Sequence, residues 1–197
     1  MLILASGSAG RRALLENAGV PHGVMTALID EGAAKAALLA QGLGARGLAD
    51  ALAELKALKV SAKCPGDLVL GCDQTLALDD GTLFDKAPDL ASLAEQLRRL
   101  SGKVHSLFSA AVLAEQGRPV WRHVECARMT VRPLSDAFIA GYLEAESNAL
   151  LGCVGGYRIE GRGAQLFSRI EGSHFAIVGL PLLPLLDALR TRGILAT

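Results

Sequence analysis

Short apolar runs alternate with longer helical periods along the chain, and this alternation predicts an α/β fold. Residues 2–5 read as a buried strand, and Ser6-Gly7-Ser8-Ala9-Gly10-Arg11-Arg12 reads as a small-residue loop. A helix follows over 13–19, with Leu14, Leu15 and Ala18 on one face and Gly19 as its stop. Residues 20–29 suggest a second strand, ending at Ile29-Asp30-Glu31. The Ala- and Leu-rich stretch 33–63 is helical, broken into two helices near Gly42 and Gly44. Leu68-Val69-Leu70-Gly71-Cys72 then runs into Asp73, the pattern of a buried strand that ends on a carboxylate.

Further on, Leu76–Leu83 suggests a hairpin turned by Asp79-Asp80-Gly81. Asp89 is placed to cap a helix over 90–100, whose Leu90, Leu93, Leu97 and Leu100 share a face. Residues 103–114 and 118–132 alternate around Glu115-Gln116-Gly117-Arg118, as a long antiparallel hairpin does. Ser135 caps a helix carrying Phe138, Ile139 and Tyr142. A glycine-rich stretch over 151–163 precedes strand-like pieces at 164–170 and 174–178. Gly179-Leu180-Pro181 opens a last helix to about Arg192. No repeat or linker interrupts the chain, so residues 1–197 read as a single domain of two lobes around a cleft.

Composition narrows the function. With 197 residues, 51% hydrophobic and 20% charged, the chain has material for a substantial core. Lys plus Arg equals Asp plus Glu at 20 each, and aromatics make up 4%, which argues against a nucleic-acid partner. The longest apolar stretch, near Ala176–Leu186, is broken by Pro181 and Pro184, so no membrane span is expected. The N-terminus lacks a basic leader, and the four cysteines show no metal-ligand spacing. Reduced thiols in a cytoplasmic protein are the expectation.

Candidate chemistry sits at three places. Ser6 and Ser8, ahead of a helix N-terminus with Arg11 and Arg12, suit phosphate oxygens, or else form an ordinary turn with solvated arginines. Asp73 at a strand end is placed to take a proton from water, to hold a metal, or to cap a turn. Asp30-Glu31 offers a metal or base site, or simply starts the next helix. Lys56, on a helix leading toward the Asp73 strand, reads as a solvated lysine.

Taken together, these pieces resemble the Maf family of nucleoside triphosphate pyrophosphatases. The resemblance is carried by Leu4-Ala5-Ser6-Gly7-Ser8 with Arg11-Arg12, by Asp30-Glu31, by Lys56, Asp73 and Lys86, by Leu100-Ser101-Gly102-Lys103-Val104-His105, and by Gly179-Leu180-Pro181. It implies a Maf/ITPase-like mixed twisted sheet flanked by helices. It also implies cleavage of the α–β phosphoanhydride of a nucleoside triphosphate. Ser6, Ser8, Arg11 and Arg12 would bind phosphates, and Lys56 and Lys86 would neutralise charge. Asp73, assisted by Glu31, would act as base or hold Mg²⁺ or Mn²⁺. A homodimer is also implied.

Gly71-Cys72-Asp73-Gln74 and Tyr157-Arg158-Ile159-Glu160-Gly161 look like the subgroup acting on 7-methyl-GTP, with Gln74 and Glu160 reading the base. A carboxylate suits a positively charged N7-methylguanine and accepts from guanine donors. The chain departs from the pattern at Ala9 and Gly10, where the family has Pro or the subgroup can place Trp, so Gly10 also bears on specificity. Cys153 stands where the dTTP/UTP subgroup has Lys, and Ala87 follows Lys86 where Pro is usual. The dTTP/UTP specificity is the alternative within the family. A nucleotide-sensing regulator of cell division or septum formation without turnover is the alternative outside catalysis.

Overall fold

The computed structural model describes residues 1–196. Seven strands form one mixed sheet of order β2-β1-β3-β5-β6-β7, with β4 paired to β3. In chain order the strands are β1 (Leu2–Leu4), β2 (Gly23–Val24), β3 (Leu68–Leu78), β4 (Leu83–Phe84), β5 (Val104–Glu115), β6 (Arg118–Val131) and β7 (Phe167–Glu171). The α-helices are α1 (Ala9–Asn17), α2 (Glu31–Ala40), α3 (Ala45–Ser61), α4 (Leu90–Leu100), α5 (Asp136–Glu146), α6 (His174–Val178) and α7 (Leu182–Thr191). The α/β class expected from the sequence is therefore the observed one. The chain divides into two compact units, one comprising 1–74, 108–125 and the stretch from Gly179 onward, the other 75–107 and 126–178.

In the first unit β1 pairs in parallel with both β2 and β3, with Leu2, Ile3 and Leu4 opposite Leu68, Val69 and Leu70. Parallel neighbours need crossovers, which α1 on one side and α2 with α3 on the other supply. The expected strand over 20–29 shortens to two residues. Its last ladder bond is from Met25 N to Leu4 O, at 3.1 Å. β1 ends at Leu4, and among the described residues no strand is formed over 26–29.

Helix α3 lies unusually close to β3. Its inward face carries Leu48, Ala49, Leu52, Ala53, Lys56, Ala57 and Val60. Ala49, Ala53 and Ala57 pack with Ala110, Val112 and Ala114 of β5. At the contact sits Gly71, where a Cβ would stand 2.2 Å from the Ala53 carbonyl oxygen and 2.6 Å from the Ala57 nitrogen. Glycine facing alanine thus sets the spacing between helix and strand.

The second unit is built on β4, α4, α5 and the ladder of β6 with β7. Leu76 and Ala77 of β3 pair with Phe84 and Leu83, which confirms the hairpin. Asp89 accepts from Ser92 N at 2.7 Å and Ser135 accepts from Phe138 N at 3.1 Å, so both expected caps are present. The stretch 174–178, expected as a strand, is the helix α6. Five residues, four of them apolar, are too few for periodicity to separate strand from helix. Gly156, at φ +67°, lies where a Cβ would meet Leu93 Cδ1 at 2.1 Å, so the glycine-rich stretch turns tightly against α4.

His105 is fully buried in this unit, its Nε2 2.8 Å from the Tyr157 hydroxyl, which in turn donates to Met129 Sδ at 3.3 Å. Nδ1 is buried with no hydrogen-bond partner among the described residues. Burial lowers the imidazole pKa to about 4. The folded chain keeps His105 neutral down to that value, whereas the unfolded chain protonates it below about 6.5. The unfolded state therefore binds the extra proton between those limits. His105's contribution is fully present above pH 6.5 and falls by about 3 kcal/mol as pH drops toward 4. Urea midpoints measured across this range should decline in the wild type and decline less in His105→Gln. Equal slopes would remove His105 as the cause.

Candidate active site

The first unit gathers most of the candidate residues, and the strand expected to stop at Asp73 does not stop there. β3 runs on to Leu78, so Asp73 is an interior strand residue, 7% exposed, rather than a terminal one. An acid in a buried strand needs a partner, because an unpaired buried carboxylate is strongly disfavoured. Lys56 is that partner: its Nζ lies 2.6 Å from Asp73 Oδ1 and 2.8 Å from Glu31 Oε1. The expectation of a solvated Lys56 is thus overturned; the residue is 8% exposed.

The signal was in the sequence. Lys56 falls on the same stripe as Leu48, Leu52, Ala53 and Val60, where a charge requires a reason. The tight contact at Gly71 supplies the geometry. Gly71 and Asp73 are two apart on one strand and so face the same side. Lys56 adjoins Ala57 on the helix pressed against that side. Asp30 and Glu31 divide their duties. Asp30 Oδ1 caps α2 by accepting from Ala33 N at 2.9 Å, which leaves Glu31, the first helical residue, to meet Lys56.

The opening loop is shorter than expected, because α1 begins at Ala9 and takes Gly10, Arg11 and Arg12 into its first turn. Ser8 is its cap, its Oγ 3.4 Å from Arg11 N. The two arginines differ. Arg12 is exposed. Arg11 is half-buried and works as a clamp. Its Nε donates to the Gly179 carbonyl at 2.8 Å, and its Nη1 donates to Ser6 Oγ at 3.1 Å and to the Cys72 carbonyl at 3.2 Å. It thereby ties the first helix to β3 one residue before Asp73 and to the Gly179-Leu180-Pro181 segment. Gln74 donates through Nε2 to the buried Ser109 hydroxyl at 2.9 Å, a partner not visible in the sequence. The Cys72 thiol is pushed up to about 11 by burial and is not a nucleophile at neutral pH.

Lys86 and Glu160 belong to the second unit. Both are exposed, and Glu160 Oε1 accepts from Arg158 Nε at 3.3 Å. Cys153, half-buried, has its thiol pKa raised by burial and then by the Glu160 carboxylate, against the opposing charges of Arg158 and Lys86. No group of three or more His, Cys, Asp and Glu side chains able to hold a metal occurs among the described residues. The two carboxylates that converge are Asp73 and Glu31. No helix among the described residues is long and apolar enough to cross a membrane.

A family profile described as Maf-like protein matches residues 1–192. The chain belongs to the Maf family. Among curated Maf relatives, a protein of Caulobacter vibrioides named nucleoside triphosphate pyrophosphatase is 52% identical over 98% of this chain and 96% of its own length. One from Brucella abortus named 7-methyl-GTP pyrophosphatase is 49% identical over 96% of this chain and 94% of its own. A solved structure of a nucleoside-triphosphatase, dITP/XTP pyrophosphatase, from Mycobacterium abscessus covers 98% of this chain and 93% of that one at TM-score 0.44 and 17% identity, too distant to carry an argument.

Proposed function

We infer that this chain is a nucleoside triphosphate pyrophosphatase, a hydrolase acting on acid anhydrides, and we propose 7-methyl-GTP as its substrate. The observation that carries the reading is the buried Lys56–Asp73 pair with the exposed Glu31 on its outer side, in a chain whose curated relatives bear that enzymatic name over nearly their full length. Asp73 takes the proton of the attacking water. Lys56 neutralises charge on the phosphate oxygens as the α–β bond breaks, and Lys86 is the second unit's candidate for that role. Ser6, Ser8, Arg12 and the N-terminal N–H groups of α1 hold phosphates. Arg11, committed to three oxygens of the fold, keeps the loop and β3 in register and adds positive charge.

The donor set of Asp73 and Glu31 fits Mg²⁺ or Mn²⁺. Such ions take one or two carboxylates and complete their shell with water and substrate phosphates. A divalent ion held there would polarise phosphoryl oxygens and acidify bound water. Gln74 is the first unit's candidate for reading the base and Glu160 the second unit's. An anionic side chain favours the cationic N7-methylguanine ring and can accept from its N1–H and N2–H₂ groups. Gly10 lies in the first turn of α1 and provides no ring for stacking, so the base preference falls on these two polar side chains.

A panel of 7-methyl-GTP, GTP, dTTP, UTP and CTP, compared by kcat/KM for pyrophosphate release with Mn²⁺, tests the substrate. The expected order places 7-methyl-GTP at least about tenfold ahead of UTP and dTTP, the separation that about 1.4 kcal/mol of differential binding gives. A lead for dTTP or UTP would overturn the base assignment but not the reaction. Absence of pyrophosphate release with every substrate would favour a nucleotide-binding regulator instead.

A further inference from the structure

The ammonium of Lys56 occupies the seat between the two carboxylates that the reading above assigns to a divalent cation, touching Asp73 Oδ1 at 2.6 Å and Glu31 Oε1 at 2.8 Å. Resting on that reading, we propose that Lys56 is an internal competitor for the cation, holding the seat in the nucleotide-free protein and giving it up to the phosphates when substrate and metal arrive. Three observations lead there.

First, the contact is direct and two-sided. A cation bound to the same two oxygens would overlap the ammonium, and like charges in contact repel, most strongly on the side of the buried Asp73, since Glu31 is exposed. Secondly, the backbone of Lys56 cannot retreat. Its neighbours Ala53 and Ala57 are in contact with Gly71, so only the flexible four-carbon stem can carry the charge elsewhere. Thirdly, the charges favour exchange. One ammonium against two carboxylates leaves those three side chains net negative, which attracts a divalent ion, with the Arg11 guanidinium at the Cys72 carbonyl opposing it. The displaced ammonium then needs a new anionic partner, and a triphosphate is one. Metal and nucleotide binding are therefore coupled through this side chain, and each makes room for the other. Metal without nucleotide binds weakly, because Lys56 has nowhere to go.

Manganese binding to the nucleotide-free protein, followed by electron paramagnetic resonance of free Mn²⁺, reads this directly and needs no turnover. Lys56→Gln should bind Mn²⁺ at least about tenfold more tightly than the wild type, and Glu31→Gln at least about tenfold more weakly. Lys56→Met, which keeps the length and removes the charge, should behave as Lys56→Gln does and covers the case in which the amide variant does not fold. A second measurement uses the wild type alone. A saturating non-hydrolysable triphosphate analogue should tighten Mn²⁺ binding, and by more than it does in whichever neutral variant folds. Unchanged or weaker binding in the neutral variants, with Glu31→Gln still weakened, overturns the competitor role and leaves the metal-holding reading standing. Wild-type binding in Glu31→Gln overturns both.

Discussion

Asp73→Asn is expected to lower pyrophosphate release about 10³-fold, the range that loss of a positioned general base produces. The amide keeps the size of the carboxylate but cannot take the proton of water or balance the charge of Lys56. Triphosphate binding should persist within a few-fold, because the proposal gives the phosphates to the α1 N-terminus, Ser6, Ser8 and Arg12 rather than to an acid. Steady-state kcat and calorimetric nucleotide binding, measured on the same preparation, separate the two effects. A variant with turnover within threefold of the wild type would end the base assignment. The fold should survive the change, since Asn can still accept from Lys56 Nζ, now 2.6 Å from Asp73 Oδ1.

The second large effect is on stability. Gly71→Ala puts a methyl group 2.2 Å from the Ala53 carbonyl oxygen and 2.8 Å from Ala57 Cβ, and backbone atoms cannot step aside cheaply. Overpacking of this kind costs about 3 kcal/mol or more, roughly 10 °C in Tm for a chain of this size. Because the same contact sets the distance between Lys56 and Asp73, activity should fall even where the variant remains folded. Gly66→Ala is the control: a Cβ there meets nothing within 4 Å. Calorimetric melting of both variants tests the contact. Equal melting temperatures would show that α3 does not rest on Gly71.

What could be read from the sequence is what local chemistry decides. Asp89 and Ser135 announce their helices by side-chain capping. Gln116 and Gly117, both at positive φ, 50° and 73°, form the tight connection expected between β5 and β6. The family pattern picked out Glu31, Lys56 and Asp73 without showing that they touch. Their meeting is a tertiary fact, produced by a glycine and three alanines whose small size carries no local message.

The errors have the same origin. Asp73 looks like a strand end because a charge interrupts an apolar run, yet its charge is met by a helix 17 residues earlier in the chain. Residues 26–29 look like a strand but lie past the end of β1. Arg11 and Arg12 are adjacent and chemically identical, and only the packing assigns one to the fold and exposes the other.

The central claim is that the Asp73 array directs water to cleave between the α and β phosphorus atoms. Phosphorus NMR of 7-methyl-GTP incubated with the wild-type protein and Mn²⁺ tests it most directly. The account predicts 7-methyl-GMP and pyrophosphate as the first products, growing in equal amounts and absent with Asp73→Asn. A first appearance of the diphosphate with inorganic phosphate, or the same products from the variant at the same rate, would contradict it.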